Sequence, residues 1–254
     1  MSELPTTAEA TVRLRGISKT FSNGTTAVSR LDLDLEPGSF VSLLGPSGCG
    51  KSTVLRMIAG LIEPSEGTVS GSREVGRIGF VFQEPTLMPW GSALANIRLP
   101  LDLAGVASSE ANMRARDALA QVGLEGFADA YPRELSGGMK MRVSLARALT
   151  TEPDILLLDE PFAALDEITR FKLNNDLLAL WQAKRFTAVF VTHSVFESVY
   201  LSQRVVVMAA RPGRVSDDLA IKTHLARGEE FRTSADYAQL CRNASQALEK
   251  AMAS

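Results

Sequence analysis

The sequence predicts an α/β protein with a mostly parallel sheet, and three observations carry that prediction. Strand-like runs at Ile155 to Leu158, Thr187 to Thr192 and Val205 to Met208 recur along the chain, with a helical stretch, Thr169 to Lys184, between the first two. A glycine-rich loop lies between another apolar run, Phe40 to Leu44, and a helical spread of apolar positions over Thr53 to Leu61. From Trp90 to Leu149 the composition changes to Ala, Leu, Arg and Glu with few β-branched residues, which predicts a helical insert within the strand–helix alternation.

Taken in order, Leu31 to Leu44 predicts two strands split by a turn at Pro37-Gly38. Leu31, Leu33 and Leu35 alternate with acidic residues, and Phe40 to Leu44 is continuously apolar. Pro64 to Gly71 reads as turn, Ile78 to Phe82 as strand, and the first lobe ends near Gln83. After the helical insert come the three runs named above. Beyond Gly213 the chain is more polar, and Ser234 to Met252 predicts a solvated amphipathic helix.

Composition limits the function. The 254 residues, 45% hydrophobic and 22% charged, suit one large α/β domain or two small lobes with a real core. No apolar run approaches the roughly 18 residues of a membrane-crossing helix, so any membrane role needs another chain to span the bilayer. Met1 to Thr11 carries Glu3 and no apolar segment with basic flanks, which is not a secretory signal and predicts a cytoplasmic protein. A net charge of −2 lacks the basic excess of a nucleic-acid binder. The two cysteines, Cys49 and Cys241, suggest neither a disulfide framework nor a metal site.

The segment Gly45-Pro46-Ser47-Gly48-Cys49-Gly50-Lys51-Ser52-Thr53 fits G-x-x-x-x-G-K-[ST] in the strand–loop–helix context that the motif requires. Glycines 45, 48 and 50 permit positive backbone torsions that turn amide N–H groups inward at a helix N-terminus, where phosphate is favoured. Lys51 is expected to reach the β- and γ-phosphates, Ser52 to ligate Mg²⁺, and Thr53 to help fix the phosphate end of the helix. Cys49 fills a tolerant position in this loop; a reactive thiol at the helix N-terminus is the alternative reading.

Ile155 to Leu158 ends in Asp159-Glu160, neighbours that strand alternation aims in different directions. Asp159 suits the metal and Glu160 suits general-base attack by water; acidic loop residues at a strand end are the plainer reading. Leu135 to Met139 contains Ser136-Gly137-Gly138 at the start of a predicted helix running on to Leu149, a second anion-binding helix end. Such a second end is useful if it closes on phosphate bound by another copy of the chain.

At these residues the chain resembles the ATP-binding subunit of an ATP-binding-cassette transporter, a resemblance that spans Val12 to Val215. The loop at Lys51 resembles the Walker A element, Gln83 the Q-loop, Leu135 to Met139 the family signature, and Asp159-Glu160 the Walker B pair. Ala164-Leu165-Asp166 resembles the D-loop, His193 the switch histidine, and Phe21 the adenine-stacking position. The resemblance implies a P-loop NTPase with a RecA-like core, an antiparallel β subdomain and an α-helical signature subdomain. Core and β subdomain would occupy residues 12–84 and 150–215, the helical subdomain 85–149, and a short C-terminal helical extension 216–254, all within one ATPase domain.

It also implies ATP and Mg²⁺ as ligands, with Ser52, Gln83 and Asp159 around the metal and Glu160, His193 and Gln83 serving hydrolysis. ATP would sit between the Walker A loop of one copy and Ser136 to Gly138 of a second, head to tail, with Asp166 at the same junction. Two departures from the family pattern stand out: Phe21 replaces the commoner tyrosine, keeping the π-face without the hydroxyl, and Met139 replaces a glutamine.

Phe82 to Trp90, Val191 to Tyr200 and Arg211 to Val215 resemble, more narrowly, importer subunits of the nitrate, sulfonate and taurine group, with relatives for thiamine-precursor pyrimidines. That implies transmembrane permease partners, an indirect periplasmic or lipid-anchored solute-binding protein, and a place on the cytoplasmic face of the inner membrane. The alternative is a soluble ATPase clamp of the same superfamily acting on DNA or ribosomes. It fits poorly, because the chain has neither a long heptad coiled coil nor a second cassette.

Overall fold

The computed structural model describes residues 12–71 and 77–253; the sequence reading of Met1 to Thr11 lies outside the described residues. No described helix is long and apolar enough to cross a membrane. Nine strands form two sheets among the described residues. β1 (Val12–Thr20), β2 (Thr26–Leu35) and β4 (Glu66–Ser70) make a three-stranded antiparallel sheet in the order β2-β1-β4. The larger sheet takes β3 (Phe40–Leu44), β5 (Ile78–Val81), β6 (Ile155–Asp159), β7 (Thr187–Thr192), β8 (Arg204–Ala209) and β9 (Arg214–Ala220) in the order β5-β6-β7-β3-β8-β9. It is parallel except for the β8–β9 pair.

The central strands are continuously apolar because both of their faces are buried. Phe40, Leu44, Leu156, Leu158, Ala188, Phe190, Val205 and Val207 face one core. The alternating Val41, Leu43, Ile155, Leu157, Val189, Val191, Val206 and Met208 face the other. Helix α1 (Lys51–Ile58) belongs to the second core, where Val54, Leu55, Met57 and Ile58 join Leu31, Leu33 and Leu35 of the antiparallel sheet. The first core receives α2 (Ala93–Leu103), α3 (Ser108–Gln121), α4 (Gly137–Leu149), α5 (Glu167–Lys184) and α6 (Val195–Leu201). Phe40 anchors it, edge-on to Trp181 with ring centroids 5.7 Å apart.

The α/β class and the predominantly parallel sheet agree with the sequence reading, and so do the helices across the insert. Three differences have physical reasons. β4 was read as turn because Glu66-Gly67-Thr68-Val69-Ser70 is nearly all exposed, and β9 is a polar edge strand with no buried residue; neither shows an apolar run. The first helix begins at Lys51 rather than Thr53, because Gly50, at φ 92°, already turns the chain into it. The C-terminal helix, after the short α7 (Glu229–Thr233), is α8 (Ala235–Ala253), and it is not simply solvated: Tyr237, Cys241, Ala244, Ala247 and Ala251 are buried in the first core. Its small residues carry little hydrophobic signal, yet they allow close approach.

Candidate active site

The parallel strands deliver the charged and polar residues to one edge of the sheet, at the C-terminal ends of β3, β5, β6 and β7, where open α/β sheets bind ligands. The loop after β3 rises through Ser47 and Gly48, both exposed, and returns to the buried Cys49. Gly48 and Gly50 have positive φ, 78° and 92°, as expected; Gly45 does not. Gly45 is required instead for close approach, since a Cβ there would lie 2.7 Å from the Met208 carbonyl oxygen of neighbouring β8. Pro46 contributes its carbonyl: Lys51 Nζ donates to Gly45 O at 2.8 Å and to Pro46 O at 2.9 Å.

Lys51 is 3% exposed, and its Nζ also lies 3.6 Å from Glu160 Oε1. Glu160 stands just past β6 with φ 45°, a left-handed conformation that costs a non-glycine residue roughly 1–3 kcal/mol and commonly marks a working site. Its backbone N–H donates to Val191 O at 3.1 Å, which ties the turn to β7. The other carboxylate oxygen, Oε2, accepts at 3.0 Å from Nδ1–H of His193, the residue that follows β7. Glu160 is thus gripped between a lysine and a histidine from two other strand ends.

Asp159 points the other way, as alternation requires, and accepts from Ser52 Oγ at 2.7 Å. Burial raises the Asp159 carboxyl above its ordinary range, although the Ser52 hydroxyl and Arg56 oppose the shift. A buried carboxylate beside a hydroxyl is an oxygen donor pair suited to a small hard cation. Among the described residues no cluster of three or more His, Cys, Asp or Glu side chains is placed to hold a metal ion. Gln83 is exposed just beyond β5, the strand beside β6. Thr53 stands half-buried in the first turn of α1. Burial pushes the Cys49 thiol up despite nearby Lys51, which disfavours the thiolate that a reactive cysteine needs.

The remaining sequence-derived residues fall into two places. Phe21, 40% exposed, lies on the turn between β1 and β2, with Lys19 Nζ 5.7 Å from its ring centroid. Ser136 caps α4 by accepting from Met139 N at 3.3 Å, and Asp166 caps α5 by accepting from Thr169 N at 2.9 Å. That backbone hydrogen bond lowers the Asp166 carboxyl. Gly137 and Gly138 bring these two helix ends together: a Cβ on Gly138 would lie 2.7 Å from Thr169 Cγ2, and one on Gly137 3.5 Å from Leu165 Cδ2. Among the described residues no side-chain hydrogen bond joins Ser136 to Gly138 with the loop at 45–53.

Three supporting contacts were not legible in the sequence. Gly213 donates to Ala27 O at 3.0 Å and accepts from Ser29 N at 2.9 Å, wedging the β8–β9 turn against the back of the loop. Arg147 of α4 donates to Pro85 O at 3.0 Å and Thr86 O at 2.9 Å, fastening the segment after Gln83 to the helix that Ser136 opens. Thr192 Oγ1 donates to the buried Glu197 at 2.6 Å and accepts from Ser194 N at 3.0 Å, bracing both sides of His193. All three depend on tertiary placement; Arg211 to Val215 entered the sequence reading only through its resemblance to importer subunits.

Comparison with known proteins matches residues 28–163 to the family model described as ABC transporter. An uncharacterized ABC transporter ATP-binding protein of Methanocaldococcus jannaschii is 46% identical over 234 residues, covering 89% of this chain and 86% of the relative. An aliphatic sulfonates import ATP-binding protein of Mesorhizobium japonicum is 46% identical over 230 residues, covering 89% and 84%. Among solved structures, a dimeric ATP-binding cassette in a post-hydrolysis state with ADP and Pi superposes with a TM-score of 0.74 at 34% identity, covering 84% of this chain and 99% of that one. The cbiO1 protein of Clostridium perfringens, part of the ABC transporter complex cbiONQ, superposes with a TM-score of 0.76 at 27% identity, covering 84% and 90%.

Proposed function

The chain belongs to the ABC transporter family as an ATP-binding, ATP-hydrolysing subunit, and from that premise we propose how its residues divide the work. The observation that carries the reading is the position of Glu160, held 3.0 Å from His193 and 3.6 Å from Lys51 beside the glycine-rich loop. Glu160 is the general base that takes a proton from the attacking water. His193 steadies that carboxylate and contacts the γ-phosphate, and Lys51, with the loop N–H groups from Ser47 to Ser52, holds the β- and γ-phosphates. Ser52, Asp159 and Gln83 would hold Mg²⁺, which when bound neutralises charge on the phosphate oxygens. Thr53 fixes the phosphate end of α1, and Phe21 offers its exposed ring to adenine.

Ser136 to Gly138 and Asp166 complete the site from a second copy, head to tail. The dimeric form of the similar cassette supports that arrangement. ATP binding then shifts an open–closed dimer equilibrium, which hydrolysis and product release reverse. Residues 12–84 and 150–215 act as core, 85–149 as the helical unit that moves, and 216–254 as an extension. Gln83, followed directly by the segment that Arg147 fastens to α4, passes the motion to permease subunits at the cytoplasmic face of the membrane.

The transport reaction is import of a small solute of the nitrate, sulfonate, taurine or thiamine-precursor pyrimidine type, delivered to the permease by a separate binding protein. The sulfonate-import relatives at 45–46% identity support it. The test is to purify a tagged copy from gently solubilised membranes with ATP. A multi-span permease carrying two ATPase copies is the expected result; a chain found with ribosomes, DNA or no membrane protein would end the transport reading.

A further inference from the structure

Helix α6 begins two residues after His193 and has only seven residues. A helix this short is marginal in water on its own, so what holds its ends decides where it sits. Its start is fixed locally: Ser194 Oγ accepts from Glu197 N at 3.3 Å, and Thr192 Oγ1 donates to Glu197 at 2.6 Å. Its far end is held by the chain beyond β9.

Arg227, between β9 and α7, donates from Nη1 to Val199 O at 2.8 Å and to Tyr200 O, and from Nη2 to Ser202 O. These carbonyls belong to the end of α6, where internal N–H partners run out and a cation is favoured. The guanidinium also lies 5.6 Å from the ring centroid of Phe231, which is fully buried. Burial lowers it to about 10, which leaves it charged at neutral pH. Tyr237 of α8 adds a second grip on α6, donating its hydroxyl to Phe196 O at 2.9 Å.

We propose that Arg227 is a positioning residue for His193: by capping the far end of α6 it fixes the backbone from which the histidine reaches Glu160. The His193 side chain is 53% exposed, so little packing holds the ring, and its place depends on the backbone beneath it. α6 is about 10 Å long. If its last turn frays, the helix is free to tilt about Ser194, and a shift on the order of 1 Å is enough to spoil the 3.0 Å contact between His193 Nδ1 and Glu160 Oε2. Residues that touch no nucleotide thereby take part in hydrolysis. The inference rests on the reading of His193 as the residue that steadies Glu160.

The test is steady-state ATP hydrolysis by variants of the full chain, with nucleotide affinity measured separately by a fluorescent ATP analogue. Arg227→Met removes the donors and keeps an apolar stem; turnover should fall at least about tenfold while KM and affinity stay at wild-type values. Arg227→Lys, which keeps the charge and can still reach a carbonyl, should recover part of that loss. In a His193→Ala background, Arg227→Met should cost nothing further. The sequence has two histidines, so the ring nitrogens of His193 can be followed by NMR; the Nδ1–H tautomer should dominate in wild type and give way to a mixture in Arg227→Met.

Ala244→Gly, which loosens the buried face of α8 and removes no donor to α6, should leave turnover unchanged. A loss there equal to that of Arg227→Met would assign the effect to stability alone and overturn the proposal. So would losses that multiply in the double variant, or an unaltered His193 tautomer. If Arg227→Met does not fold, Arg227→Lys and Tyr237→Phe carry the test, and wild-type turnover in both would overturn it. Normal hydrolysis by His193→Ala would end the reading of the histidine itself; an impaired His193→Ala beside an unimpaired Arg227→Met would overturn this proposal alone.

Discussion

Gly213→Ala adds one methyl group in the turn behind the phosphate loop, and its effect can be worked from the surrounding backbone. The new Cβ would lie 2.2 Å from Cys49 O and 2.7 Å from Ala27 O. An ordinary carbon–oxygen contact is about 3.3 Å, so the two segments must separate by about 1 Å. Both obstacles are main-chain atoms, and no rotamer change can relieve them. Ala27 is further fixed because its carbonyl accepts from Gly213 N itself, at 3.0 Å. The displacement therefore falls on Cys49 and the loop that precedes Lys51.

Overpacking of this kind costs about 1–3 kcal/mol of stability, or about 2–4 °C of Tm per kcal/mol at this chain length. A 1 Å misplacement of a positioning element costs turnover on the order of 100-fold. The assay is steady-state ATP hydrolysis with a parallel thermal melt. Gly228→Ala serves as the control, because a Cβ there meets nothing within 4 Å. Wild-type KM and turnover in Gly213→Ala would refute the reasoning that this turn holds the loop in place.

Further predictions concern residues around the same edge. Arg147→Ala removes the donors to Pro85 and Thr86 and leaves those acceptors unpaired. A loss of about 1–3 kcal/mol is expected, together with faster amide exchange confined to residues near Gln83; protection unchanged there would contradict it. Glu197→Gln tests the buried carboxylate, which burial raises above its ordinary value of 4.5 despite the Thr192 hydrogen bond and Arg170. With the folded value raised, the neutral form is favoured: its stabilising contribution is complete below pH 4.5 and is lost as pH rises through the folded value. The glutamine variant should accordingly melt higher than wild type at pH 7 to 8 and show that advantage shrinking on acidification; a constant or reversed difference would contradict the sign.

Much of this architecture was readable because burial on both faces writes an unbroken apolar run. Phe40 to Leu44 and Thr187 to Thr192 are such runs, and their ends carry the loop and His193. β9 and β4 escaped because edge strands exposed to water need no apolar signature, and α8 was misjudged because alanine packs closely without standing out. At the site, residues joined by local motif were legible: Lys51, Ser52, Asp159 and Glu160 follow from spacing and strand alternation. What joins distant elements was not. The Gly213 wedge, the Arg147 clasp and the Thr192–Glu197 brace bring together residues whose separate sequence contexts do not show the contact.

The central claim is that Glu160 activates water for ATP bound to a closed pair of subunits, and Glu160→Gln tests it most directly. Glutamine keeps the shape and can still hydrogen-bond His193, but it cannot take the proton. Light scattering with radiolabelled ATP should show a stable dimer retaining two unhydrolysed nucleotides, with turnover reduced by at least about 100-fold. Near-normal hydrolysis by that variant, or a chain that binds ATP and remains monomeric, would contradict the account.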